Sequence, residues 1–76
     1  MSEADVLYAA ILDRRLRSEQ TVQAIEDEAA GLREQGRLAI ARDLIDRALQ
    51  GSALMPQFKQ RLREFAAREL TEEPAT

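Results

Sequence analysis

Apolar residues recur at spacings of three and four along most of the chain, the pattern of helices that bury one face. The first stripe is Leu7, Tyr8, Ile11, Leu12 and Leu16. Ser2 precedes it, with Asp5 three positions on, so each side chain can satisfy a backbone N–H at a helix start. This predicts a helix over 3–17, with Arg14, Arg15 and Arg17 in its last turn, where cations suit the negative end of the dipole. Val22, Ile25, Ala29 and Leu32 form a second stripe, placed on a helix over 19–35 with Ser18 or Thr21 as its cap. A third stripe, Leu38, Ala41, Leu44, Ile45, Ala48 and Leu49, predicts a helix over 37–50 closed by Gly51. Ser52 can cap the next. Pro56 is tolerated only in a first turn, so the last helix begins near 53–56 and runs over 54–70. Phe58, Leu62, Phe65, Ala66 and Leu70 mark its buried edge.

Gly36 sets the topology. Residues 19–50 are either one long helix or a hairpin, and a single Gly costs only about 1 kcal/mol inside a helix. The phase of the stripes favours the hairpin. From Leu32 to Leu38 is a step of six, which would rotate the apolar stripe off its face on a continuous helix. A turn at 35–37, with Gly36 in the left-handed position, returns both stripes to one interior. The reading is an all-α bundle of three to four helices over residues 1–70, followed by a disordered acidic tail over 71–76 (Thr-Glu-Glu-Pro-Ala-Thr).

Composition narrows the chemistry. The 76 residues include no Cys, His or Trp, which excludes thiol and imidazole catalysis, Cys/His zinc sites, His-ligated haem and disulfides. The net charge is −3, with only the 51–70 segment basic, unlike the overall basic balance usual in small nucleic-acid binders. No apolar run approaches the roughly 18 residues of a membrane span. The acidic start, Glu3 and Asp5, does not resemble a targeting peptide. Ten of the eleven cations are Arg, as in chains from GC-rich coding sequence. The expectation is a cytoplasmic, bacterial-type protein without cofactor, metal or membrane partner.

Two resemblances follow from the hairpin. Residues 22–53 resemble one tetratricopeptide-type repeat: Ile25, Ala29 and Leu32 on the first helix, Gly36 at the turn, then Leu38, Ala41, Ile45 and Ala48. The family's closing Pro is displaced to Pro56, and Glu28 stands at a usually apolar position. That resemblance implies a helical surface for a protein partner. Residues 2–51, notably Gly36-Arg37-Leu38-Ala39-Ile40-Ala41-Arg42-Asp43-Leu44, are similar to small helical modules ahead of the core of some bacterial AAA ATPases, which implies recruitment or tethering.

Other motifs read as ordinary helix surface. Gly31-Leu32-Arg33-Glu34-Gln35-Gly36 has the glycine spacing of a phosphate-binding loop, but Arg37 and Leu38 replace the required Lys and hydroxyl. Glu26, Asp27 and Glu28 splay around a helix axis and cannot converge on a cation. Asp43 and Asp46 share a face, where Arg42 and Arg47 answer them, Asp43 with Arg47 as an i,i+4 pair. Tyr8 reads as a boundary residue with its ring inside and its hydroxyl wet. No nucleophile, tuned base and oxyanion donor coincide, so no catalytic residues are assigned.

A core this small seldom supplies more than ~3–5 kcal/mol, and no disulfide or metal supplements it. The expectation is therefore a non-enzymatic protein–protein interaction module (a regulator, adaptor or inhibitor), with a homodimer or a heteromeric partner as stabiliser. The last helix either completes the bundle or swaps into that partner. The contact residues expected are Leu54, Met55, Phe58, Leu62 and Phe65, then Tyr8 and Leu12. The alternative from another class is a DNA-binding regulator using Arg14, Arg15, Arg17, Lys59, Arg61 and Arg63.

Overall fold

A computed structural model describes residues 1–71. The chain forms α1 (Glu3–Asp13), α2 (Ser18–Glu34), α3 (Leu38–Gln50) and α4 (Pro56–Glu69), an all-α bundle. Ser2 Oγ accepts from the Asp5 N–H at 3.2 Å, and Asp5 Oδ2 accepts from the Ser2 N–H at 3.3 Å, so the capping box forms as its spacing predicts.

α1 is four residues shorter than the stripe predicts. Arg14 is its C-cap, Arg15 adopts φ 54°, and Arg17 is already the N-cap of α2. The three arginines thus form the α1–α2 link rather than a last helical turn. Neither expected cap serves α2. Ser18 is its first helical residue, and Thr21 turns inward, its hydroxyl donating to the Leu16 carbonyl at 3.3 Å. Leu16 is half-buried in the link and lines a groove with α2 residues, so the apolar spacing runs past the true helix end.

The hairpin turn lies where Gly36 predicts it. Gly36 has φ 76°; its N–H donates to the Arg33 carbonyl at 2.9 Å, and the Arg37 N–H donates to the Leu32 carbonyl at 2.8 Å. This pair of bonds is a Schellman motif, which satisfies carbonyls the helix end would otherwise leave open. Ala29 and Ala41, both fully buried, let α2 and α3 come close. α3 ends at Gly51 in extended backbone (φ −77°), so that glycine is not there for its turn geometry. Ser52 does not cap α4. Met55 is the N-cap and Pro56 the first helical residue, with the Phe58 and Lys59 N–H groups donating to the Met55 carbonyl. At the far end the Leu70 carbonyl accepts from Arg42 Nε at 2.7 Å, which ties α4 to α3.

The α2–α3 hairpin is the centre of the molecule. α1 and α4 each pack on both of its helices and make no contact with each other. One core collects Ala4, Tyr8 and Ile11 from α1, Val22, Ile25 and Leu32 from α2, Leu44 and Ile45 from α3, and Leu62 and Phe65 from α4. Of the two fates expected for the last helix, the chain takes the first: α4 completes its own bundle. The tail expected over 71–76 lies, but for Thr71, outside the described residues.

Candidate interaction surface

Four of the seven expected contact residues belong to this core instead. Leu54, Leu62, Phe65 and Tyr8 are all buried, and Phe58 is half-buried against the same cluster. The stripe on α4 is consumed by the hairpin, so those side chains offer no partner a surface. Met55 at 56% exposure and Leu12 at 37% remain accessible.

The largest apolar exposure within a helix is one that stripe reading passes over. Val6 is 53% exposed, and Ala9 and Ala10 beside it are also exposed. Between Asp5 and Asp13, α1 carries no charged side chain at all. The core takes Ala4, Tyr8 and Ile11, which leaves a helix apolar on its outer side as well. The sequence signal was that charge-free run of seven residues, hidden because any apolar residue in α1 could be assigned to the core.

Tyr8 departs from its expected boundary role. Its hydroxyl is buried and has no hydrogen-bond partner among the described residues. Burial raises its pKa above the usual tyrosine value, partly offset by the positive charge of Arg47, whose guanidinium lies 5.1 Å from the ring centroid. The hydroxyl also explains Gly51: a Cβ there would stand 3.1 Å from Tyr8 Oη. Arg47 makes its ion pair with Asp5 across to α1, at 3.3 Å, a partner outside the i,i+4 pattern that pointed to Asp43. Arg37 pairs with Glu3, so α1 is held to α3 by charge near both ends of that helix.

The six basic residues of the nucleic-acid alternative do not form one array. Arg14, Arg15 and Arg17 stand on the α1–α2 link, and Lys59, Arg61 and Arg63 on α4, which does not touch α1. Arg61 is committed within the chain: Nε and Nη2 donate to the two Glu26 oxygens at 3.0 Å each, and Nη2 also reaches Gln23 Oε1 at 2.9 Å. This fork raises the Arg61 pKa further above its usual value. It also occupies Glu26, and among the described residues no group of three acidic side chains could hold a metal ion. Gly31 lies inside α2, so the glycine spacing that resembles a phosphate loop spans a helix end.

Beside the link, α1 and α2 diverge to leave an open groove of about 550 Å³. Its lining combines the apolar Ile11, Leu16 and Ala24 with Arg14, Asp27 and Glu28. No described helix is long and apolar enough to cross a membrane. No protein-family model, curated protein or solved structure matches the chain.

Proposed function

We propose that this chain is a non-enzymatic protein–protein interaction module, a small regulator, adaptor or inhibitor that works through α1 and the link after it. The observation that carries this reading is the doubly apolar α1. A helix that is apolar all round is ordinarily buried on all sides, yet this one leaves Val6, Ala9, Ala10 and Leu12 exposed. A partner's apolar surface would remove them from water at roughly 25 cal/mol per Å² covered. The resemblance of residues 22–53 to a tetratricopeptide-type hairpin points to the same class of function.

The test is a photo-crosslinking amino acid placed at Val6, and in a control at the exposed Glu69 of α4, expressed in the native host. One protein adduct at Val6, absent from the control and lost when Leu12→Asp is added, supports the reading. An adduct-free Val6 probe in a chain that retains its helical circular dichroism refutes it.

A further inference from the structure

Resting on that reading, we infer that the first partner is a second copy of this chain, docked about a two-fold axis over the α1–α2 groove so that each copy's basic link faces the other's acidic wall. Three arginines elsewhere in the bundle have carboxylate partners within it, Arg37 with Glu3, Arg47 with Asp5 and Arg61 with Glu26, while Arg33 and Arg68 are exposed on the helices with no ion pair among the described residues. Arg14, Arg15 and Arg17 stand apart by falling within four successive positions, beside a groove that Arg14 lines. All three are exposed, and among the described residues their side chains make no ion pair or hydrogen bond. Asp27 and Glu28, which line the same groove, are likewise exposed, and Asp27 accepts only the neutral Gln23 amide among the described groups, at 2.9 Å. Charges of opposite sign therefore share one groove without pairing inside the chain among the described residues.

This arrangement selects its occupant. A polyanion would suit the arginine wall and be repelled by Asp27 and Glu28, and a basic segment would meet the reverse. A two-fold operation solves both at once, because an isologous contact brings each patch against its complement in the other copy. It also covers the half-buried Leu16 and Ala24 that line the groove.

Two charge-reversed chains test the inference by sedimentation equilibrium. The acid-walled chain carries Arg14→Glu, Arg15→Glu and Arg17→Glu; the base-walled chain carries Asp27→Lys and Glu28→Lys. The unmodified chain is expected to dimerise, with association weakened about ten-fold or more on moving from low to high salt. Each reversed chain alone is expected to be monomeric, and an equimolar mixture to give a 1:1 heterodimer. The salt series needs no variant, so a reversed chain that fails to fold leaves the test intact.

A chain that stays monomeric at every concentration overturns the inference. So does a mixture of folded reversed chains that never pairs although the unmodified chain dimerises. A monomer that shifts duplex DNA at low salt also overturns it and assigns the arginines to a polyanion. If the monomer still yields a foreign protein adduct at Val6, the interaction reading stands and only the second-copy inference falls.

Discussion

Arg15 holds φ 54°, where the Cβ of an L-residue crowds its own backbone and costs roughly 1 kcal/mol or more. Its side chain is exposed and contributes no contact that offsets this within the chain. Arg15→Gly is expected to raise stability by about 0.5–1 kcal/mol, the relief of crowding less the extra freedom glycine gives the unfolded chain. Urea denaturation measures it, and a lower midpoint would show that the link is held by something other than its backbone geometry. Nothing in the local sequence marked residue 15. The apolar step from Leu12 to Leu16 continues helical spacing across it, and only the loop closure made by Thr21 and Leu16 ends the helix early.

At the scale of elements, the join between α1 and the end of α3 includes one close fit besides its ion pairs. Tyr8 projects its unpartnered hydroxyl toward Gly51, whose backbone angles any residue can adopt. Gly51→Ala is expected to destabilise by about 1 kcal/mol, since the new methyl must displace a buried ring end. In a Tyr8→Phe background the same change should instead stabilise by about 0.5 kcal/mol through the stiffer unfolded chain. A thermal-denaturation double-mutant cycle reads the coupling, and additive effects would remove the proposed contact. This fit was invisible beforehand for a definite reason. Helix starts, stops and stripes are local, so the Ser2 cap, the Gly36 turn and the Pro56 start could be read directly. Tyr8 against Gly51, Arg61 with Glu26 and Arg42 with Leu70 join residues 28 or more positions apart, and no periodicity encodes them.

At the scale of the whole molecule, the surface expected on α4 became interior because a four-helix chain this short has little else to bury. Leu62 is fully enclosed between α4 and the hairpin. Leu62→Ala is expected to cost about 2–5 kcal/mol. A core of this size supplies about 3–5 kcal/mol, so that one truncation removes most of it. Met55→Ala, at a position 56% exposed, should stay within about 0.5 kcal/mol. Guanidinium denaturation compares the two, and equal losses would show that Leu62 is not the interior residue described. The proposed interaction surface was legible only in part: Leu12 was singled out as a contact and the link arginines only for a nucleic acid, whereas Val6, Asp27 and Glu28 acquire meaning only once α1 is laid against α2.

The first and last helices meet the same central hairpin but never each other. Either end therefore touches its counterpart only by way of that hairpin, like two doors hung on one post. A visitor that prises α1 loose would leave the α4 side closed, and the far terminus would receive the news of that event only through the post itself.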